Sequence, residues 1–487
     1  MPIDTRKALL KKRRTKIVAT LGPSSLSRET IGTLIDAGVD MFRLNMSHGD
    51  HDTHRGVFEI VRAESSRRGQ HVAVLGDLSG PKIRCGRFRG GSIELDAGSE
   101  VVVTVRDVEG EPGLIPSQYE SLANDVGEGD QILLDDGNFE LRVTGVDGTE
   151  IRCQVIHGGT LKDRKGINLP GVHVSAPSLT PKDRRDAVFA LALGVDYLAL
   201  SFVRRASDVE DLKQLIAGEG HSTPVISKIE KPEALDEIDA ILDASDGIMV
   251  ARGDLGVELP PEIVPIIQGQ LVHRARMCAK PVIVATQMLE SMIENARPTR
   301  AEVSDIANAV MSGTDAVMLS AETASGRHPI RAVEVMNRVA RESEAFLWRR
   351  GAFGSIVEDD VAGASGTNLS LSNAIARATA QLSRDLQVRA IFVVSSAGTT
   401  GRMMSSARPA APMLAASHEI ASCRRMNLFW GVVPVHVDEG DLQDPNQLAR
   451  RIVREAGLAE EGQYVLRVSG FHQDRELSIP TIAVLAV

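Results

Sequence analysis

The chain has only four cysteines in 487 residues: Cys85, Cys153, Cys278 and Cys423. They lie too far apart for a zinc site and do not form the dense framework of a disulfide-stabilised domain. They read instead as small buried hydrophobes in a reducing compartment. No apolar run approaches the ~18 residues that a membrane-spanning helix needs. An excess of positive charge is also lacking: the net charge is −10. A general nucleic-acid binder needs a basic field, so that class is excluded, although local cations can still meet phosphate groups. The basic opening RKALLKKRRTK runs straight into the strand-like KIVATLG, without the apolar segment of a signal peptide. The expectation is a cytoplasmic protein, with no membrane or nucleic-acid partner, whose basic start is a solvated tail.

What is present fits an ordered enzyme. Apolar residues make up 43% and charged residues 25% of the chain, ordinary globular values. At ~150 residues per domain, the length suggests about three domains.

Short β-branched runs alternate with amphipathic helical patterns. Strand-like runs begin at Lys16, Val39, Val72, Val195, Pro224, Asp246, Pro281 and Asp315. Helix signals separate them. Ile31, Leu34 and Ile35 share a face that Gly38 can end; Thr180, Pro181 and Asp183 start a helix; Thr299 and Glu302 have capping-box spacing. Eight β/α units predict an α/β fold built on a (β/α)8 TIM barrel, with an open doubly wound sheet as the alternative. Between Lys82 and Ala176 the helical period gives way to strand alternation, as in Ile151, Cys153 and Val155 against Arg152 and Gln154, with turns at DDGN and VDGT. This segment reads as a small β domain, a β-barrel by its strand count, inserted after strand three. A glycine- and serine-rich patch follows the eighth helix, expected near Pro329–Phe346, and beyond it a C-terminal α/β domain begins. The expected division is 1–80 with 177–346 for the barrel, 81–176 for the inserted β domain and 347–487 for the C-terminal domain.

Active-site groups of such barrels stand where the strands end. Strand two ends in Arg43, Asn45, Ser47 and His48, and strand three in Asp77. Strand five ends in Lys228 and Glu230, strand six runs into Ala251, Arg252, Gly253 and Asp254, strand seven ends in Thr286, and strand eight in Ser320 and Glu322. Polar residues also begin at strand ends for no other reason than solvent, but a whole ring of them points to a site. Glu230 and Asp254 supply hard carboxylate oxygens suited to magnesium or manganese; structural carboxylates bonded to loop amides are the plainer alternative. Lys228, two residues before Glu230, faces the same side and suits a phosphoryl group in transfer, or simply neutralises Glu230. Backbone N–H groups at 251–253 suit a carboxylate.

Five segments, ISKIEKPEAL, SDGIMVARGDLGVELP, ATQMLESM, FRLNMSHG and LSAETASGRHP, together resemble pyruvate kinase, and the similarity covers nearly the whole chain in the same order. The resemblance implies transfer of phosphate from phosphoenolpyruvate to ADP, giving pyruvate and ATP, by a homotetramer with a mobile lid and a regulatory C-terminal domain. It implies Glu230 and Asp254 as divalent-metal ligands, Lys228 and Arg43 as cationic clamps, and amides around Arg252–Asp254 for the substrate carboxylate. Thr286 would help protonate the enolate, through water with Ser320 and Glu322. Asn45, His48, Arg84 and Lys165 would contact nucleotide or its phosphates. The loop Ser395, Ser396, Ala397, Gly398, Thr399 and Thr400 resembles an effector-phosphate loop, implying activation by a phosphorylated sugar or nucleotide. Two other readings stand beside this one: an aldolase-like barrel with a metal-stabilised enolate, and a catalytically silent metabolite-binding paralogue.

One departure is specific. Potassium-requiring pyruvate kinases read Asp-Thr-Lys-Gly-Pro-Glu after strand three, whereas this chain reads DLSGPK, from Asp77 to Lys82. Their potassium oxygens match Asn45, Ser47 and Asp77, plus one from the residue that is Leu78 here, which offers only its carbonyl. Lys82 brings an ammonium to the same region, so the chain resembles the potassium-independent type.

Overall fold

The computed structural model describes residues 13–349, 370–472, 474 and 476–487. The glycine- and serine-rich patch and residues 1–12 lie outside these. Eight strands close a parallel barrel: β1 (Lys16–Thr20), β2 (Met41–Asn45), β3 (Ala73–Asp77), β4 (Tyr197–Leu200), β5 (Val225–Ile229), β6 (Gly247–Ala251), β7 (Val282–Ala285) and β8 (Ala316–Leu319). Closure through the β1–β8 pairing, Lys16 beside Ala316, excludes the open sheet. The expected helix signals operate as physical caps. Gly38 ends the helix Arg28–Ala37 at φ 113°, a left-handed conformation that glycine adopts without strain. Thr180 with Asp183 and Thr299 with Glu302 form reciprocal capping boxes. Among the described residues, no helix is long and apolar enough to cross a membrane.

Each strand divides its side chains between two cores by the period of two. Ile17, Phe42, Val74, Leu198, Val225, Ile248, Val282 and Val317 face outward against the helices. Val18, Met41, Leu75, Tyr197, Ile226, Met249, Ile283 and Met318 fill the barrel interior. Continuing the inward parity toward the carboxyl ends leads to Thr20, Arg43, Asp77, Ser201, Lys228 and Ser320. The polar ring is thus the top layer of the barrel interior.

The segment inserted after β3 forms a six-stranded sheet and a two-stranded one around a single core. In its strand Glu150–His157, Ile151, Cys153 and Val155 are buried while Arg152 and Gln154 are exposed, as the alternation predicted. Burial pushes the Cys85 and Cys153 thiols up to about 12, which keeps them protonated and inert. Cys278 corrects the expectation of four buried cysteines, because its helix turns it to solvent.

The C-terminal sheet contains β9 (Ile391–Val394), β10 (Met413–Ser417), β11 (Val432–His436), β12 (Tyr464–Ser469) and β13 (Thr481–Ala486), ordered β11-β10-β9-β12-β13. Met413 of β10, and Met426, Phe429 and Trp430 from the helix end and turn before β11, join the same apolar cluster as the barrel interior. The C-terminal unit therefore plugs the amino-terminal end of the barrel. Within this seam Arg408, 2% exposed, donates to Asp315 Oδ1 at 2.8 Å and to the Gly313 carbonyl at 2.6 Å. Its guanidinium lies 5.0 Å from the Trp430 ring centroid. Asp315 also accepts the Val282 N–H at 3.0 Å, which binds the seam to β7.

The basic start of the chain departs from a solvated tail as soon as it is described. Glu344 accepts the N–H groups of Arg14 and Thr15 at 2.8 and 2.6 Å, and the Arg14 guanidinium donates to the Ala410 and Ala411 carbonyls. Lys16 Nζ donates to the Val432 carbonyl at 2.8 Å. These cations stitch barrel to C-terminal unit because they find carbonyls and a carboxylate that burial has removed from water. Removing one partner of a buried ion pair strands the other, so Arg408→Met should lower stability by about 3–5 kcal/mol. Urea unfolding of the variant, followed by a probe in each unit, checks this.

Candidate active site

Lys228 is the centre of the ring. Its ammonium lies 2.7 Å from Ser201 Oγ, 2.9 Å from Glu230 Oε1 and 3.5 Å from Asp77 Oδ1. Burial pulls the Lys228 pKa down, but the carboxylates of Asp77 and Glu230 outweigh it and raise the value. The group is therefore a permanent cation in a dry place. Arg43 stands beside it, its Nε 2.5 Å from Asp77 Oδ2 and its Nη1 3.2 Å from Thr20 Oγ1. Two cations thus share the buried carboxylate of Asp77, which anchors both at the barrel mouth.

Glu230 is 1% exposed and accepts the Phe202 N–H at 2.8 Å on its second oxygen. Burial raises its pKa, and the charge of Asp254 adds to the rise. Asp254 lies in the first turn of the short helix Arg252–Glu258 after β6 and lines the cleft between barrel and lid with Lys82, Lys231 and Phe202. Two carboxylates that repel one another in a poorly hydrated cleft suit a hard divalent cation. Among the described residues no cluster of three or more His, Cys, Asp or Glu gathers as a complete metal cage. A fit to magnesium or manganese thus rests on two protein carboxylates, with the remaining positions open to water and substrate oxygens.

Beyond β6 the chain meets the end of β7. Gly253 N–H donates to Thr286 Oγ1 at 2.7 Å, and that hydroxyl donates to the Ala285 carbonyl at 2.6 Å. A side chain at Gly253 would crowd Thr286, with Oγ1 3.3 Å from the added Cβ. The Gly253 amide, expected to stand free for a carboxylate, is engaged by this threonine. Thr286 and Gln287 hold left-handed backbone at φ 69° and 55°, a strained pair. Arg252 keeps it in place, donating to the Thr286 carbonyl at 2.6 Å while Asp305 holds its other end at 2.6 Å. Glu322 has a bracing position: its oxygens accept the N–H groups of Leu289 at 3.0 Å and Ser320 at 2.7 Å.

The remaining predicted residues fall in two places. Asn45, Ser47 and His48 form one turn after β2: Asn45 Oδ1 accepts the Ser47 N–H at 3.1 Å, and Asn45 Nδ2 lies 3.2 Å from His48 Nδ1. Burial and the charges of Arg84, Arg43 and Lys82 hold His48 below its ordinary pKa. In the lid, Arg84 donates to the Arg164 carbonyl at 3.1 Å, and Lys165 pairs with Asp135 at 2.8 Å. The loop 395–400 belongs to the other end of the molecule, at the carboxyl end of β9. There Ser395 and Thr400 are buried, Ser396 and Ala397 are exposed, and Gly398 turns the chain at φ 89° into the helix Thr399–Ser406.

Sequence reasoning missed two elements. Ser201 follows the strand YLAL with the same inward parity as Lys228, a signal that was available. The chain Asn168–Glu258–Lys231 was not legible: Asn168 of the lid donates to Glu258 at 3.3 Å, and Glu258 pairs with buried Lys231 at 2.6 Å. It links residues brought together only by folding.

The fold and site define a barrel enzyme that receives an anionic substrate among fixed cations, with carboxylates placed for a divalent ion. A family model described as "Pyruvate kinase, barrel domain" matches residues 12–333, and one described as "Pyruvate kinase, alpha/beta domain" matches residues 373–485. Pyruvate kinase 2 of Synechocystis sp. is 44% identical over 465 residues, covering 94% of this chain and 76% of that protein. The Geobacillus stearothermophilus pyruvate kinase is 43% identical over 463 residues, covering 94% and 78%. The crystal structure of a pyruvate kinase from Cryptosporidium parvum superposes with a TM-score of 0.90 at 34% identity, covering 99% of each chain. The chain belongs to the pyruvate kinase family and is a phosphotransferase.

Proposed function

We propose that the barrel mouth transfers the phosphoryl group of phosphoenolpyruvate to ADP, giving pyruvate and ATP. The observation that carries this reading is the buried Lys228 ammonium, flanked by Arg43 and set between Asp77 and Glu230. In the reaction the bond from phosphorus to the enol oxygen breaks, a bond to the terminal ADP oxygen forms, and carbon 3 gains a proton. Positioning and charge neutralisation dominate such a transfer. Lys228 opposes the charge on the migrating group, and Arg43 clamps it from β2. Glu230 and Asp254 hold magnesium or manganese, which when bound adds positive charge beside the substrate oxygens. Of the turn Ala251–Asp254, the Arg252 and Asp254 amides orient the substrate carboxylate, since Thr286 Oγ1 holds the Gly253 N–H. Thr286 Oγ1 is the proposed proton-delivery group, together with Ser320 at the end of β8, and Glu322 braces both loops through the Leu289 and Ser320 amides. Asn45, His48, Arg84 and Lys165 contact the nucleotide side. The lid, residues 81–176, closes over a barrel made of 1–80 and 177–346 and excludes water. Lys228→Met should cut ATP formation ~10³-fold or more, yet leave metal-dependent proton exchange on pyruvate detectable. Exchange followed by NMR alongside a coupled ATP assay checks this, and near-normal turnover would remove Lys228 from the mechanism. With the unmodified enzyme, by contrast, the aldolase-like and silent-paralogue alternatives predict no ATP from phosphoenolpyruvate and ADP in that assay.

Potassium independence is part of the same reading. Leu78 buries its side chain in the outer core, and its carbonyl accepts the Ser201 hydroxyl at 2.7 Å. Ser47 Oγ lies 3.0 Å from Ser79 Oγ, and Asp77 Oδ2 is paired with Arg43. The Asn45, Ser47 and Leu78 oxygens and Asp77 Oδ2 thus have protein partners, and Asp77 Oδ1, which has no hydrogen bond, faces the Lys228 ammonium at 3.5 Å, while the exposed Lys82 lines the cleft with Asp254. Its ammonium supplies charge that potassium would otherwise bring. Replacing tetramethylammonium with potassium at constant ionic strength should change the rate less than about twofold, and Lys82→Glu should cripple it. A large potassium stimulation of the unmodified enzyme would overturn this.

The C-terminal domain, residues 347–487, is the proposed effector domain of a cytoplasmic homotetramer. Its loop Ser395–Thr400 offers exposed Ser396 and a helix start to a phosphorylated sugar or nucleotide. Ser396→Glu should blunt activation by such effectors while sparing basal rate, measured across an effector titration. An unchanged response would relocate the site.

A further inference from the structure

We propose that Ser201 is a positioning residue for phosphoryl transfer, fixing the Lys228 ammonium and tying it to the hinge by which the chain enters the lid. The inference rests on the reading of Lys228 given above. Ser201 is 1% exposed and directly follows β4 on its inward parity. Its hydroxyl donates to the Leu78 carbonyl at 2.7 Å and lies 2.7 Å from Lys228 Nζ. A serine hydroxyl has one proton. With that proton on Leu78, the oxygen can only accept from the ammonium, so both contacts have fixed polarity.

The neutrality of this acceptor matters. Lys228 already faces Glu230 Oε1 at 2.9 Å and Asp77 Oδ1 at 3.5 Å, and Asp77 Oδ1 is buried with no hydrogen-bond partner. A third carboxylate at position 201 would hold the ammonium as firmly but add a negative charge that repels an anionic substrate. A hydroxyl aims the ammonium and leaves its charge intact. The adjoining residue grips the other partner: Phe202, at φ 54°, donates its N–H to Glu230 Oε2 at 2.8 Å. The end of β4 thus sets the spacing of Lys228 and Glu230 together.

The same serine touches the lid hinge. Leu78 is clamped to β4 from both sides, its N–H donating to the Ala199 carbonyl at 3.0 Å and its carbonyl accepting from Ser201. Two residues on, Gly80 runs over Ser201 at φ 66°, where an added Cβ would meet Ser201 Cβ at 2.9 Å and Phe202 Cδ2 at 2.6 Å. The chain entering the lid therefore packs directly on the residue that aims Lys228, and a shift of the hinge reaches the ammonium through one hydroxyl.

Steady-state rates and pyruvate proton exchange of the full-length enzyme with magnesium, compared among Ser201→Ala, Lys228→Met and the double variant, test this. Misaiming a group by a fraction of an ångström lowers turnover strongly, so Ser201→Ala should reduce kcat for ATP formation about 30-fold, with KM for phosphoenolpyruvate and proton exchange within about threefold. A residue acting through Lys228 adds nothing once that lysine is gone, so the double variant should match Lys228→Met. Ser201→Cys, which keeps the volume and a weaker acceptor, should fall between wild type and alanine, and it carries the comparison if the alanine variant does not fold. An inactive Lys228→Met beside a Ser201→Ala enzyme within about twofold of wild type would overturn the Ser201 role alone. Parallel loss of kcat and proton exchange would overturn it in favour of general damage. Normal turnover of Lys228→Met would overturn the Lys228 reading, and this inference with it.

Discussion

A positive charge buried at the mouth of a parallel barrel is the constraint around which the rest of the site is arranged. An ammonium removed from water is costly unless carboxylates or hydrogen-bond acceptors surround it. Here Asp77, Glu230 and Ser201 do so from three different strands. Those strands can converge only because the barrel closes and the sheet is parallel, which puts every carboxyl end on one face. The strain at Phe202, Thr286 and Gln287 sits around the same ring. Backbone in such conformations persists where surrounding contacts over-determine it, and the Glu230, Arg252 and Gly253 contacts do so here.

The opposite end of the barrel is closed differently. Its interior cluster continues into Met413, Met426, Phe429 and Trp430, so the amino-terminal mouth is sealed by apolar side chains from a strand, a helix end and a turn of the C-terminal unit. Arg408 and Asp315 lie within that seam, and Arg14 and Lys16 cross it from the start of the chain. Barrel and C-terminal unit therefore share one core instead of touching across a polar interface. A structural change in the loop after β9 has a packed route toward β7 and β8, through Asp315 and its bond to Val282.

The lid relates to the barrel through polar contacts rather than shared core. Asn168 reaches Glu258, which Lys231 neutralises, one residue beyond Glu230. Lys82 and Ile83 line the cleft where the chain leaves the barrel. Such polar links separate more readily than an apolar seam, which suits the lid closure proposed for this enzyme.

Much of this was legible in the residues. The period of two sorted strand side chains, and caps at Thr180, Thr299 and Gly38 placed helix ends, because both signals act between neighbours in sequence. The ring of strand-end groups was legible for the same reason: strand direction alone decides which end of a parallel barrel carries them. Long motifs then pointed to the family. Tertiary structure alone decided which partners those groups acquired. It gave the Gly253 amide to Thr286, both Glu322 oxygens to the backbone and Ser201 to Lys228. It also tied the basic start of the chain to Glu344 and turned Cys278 outward. Each of these outcomes depends on burial, which removes a polar atom from water and obliges it to find a partner distant in sequence. No local pattern specifies which partner that will be, so the sequence by itself determined the elements and the inventory of charges, and the closed barrel decided how those charges are shared.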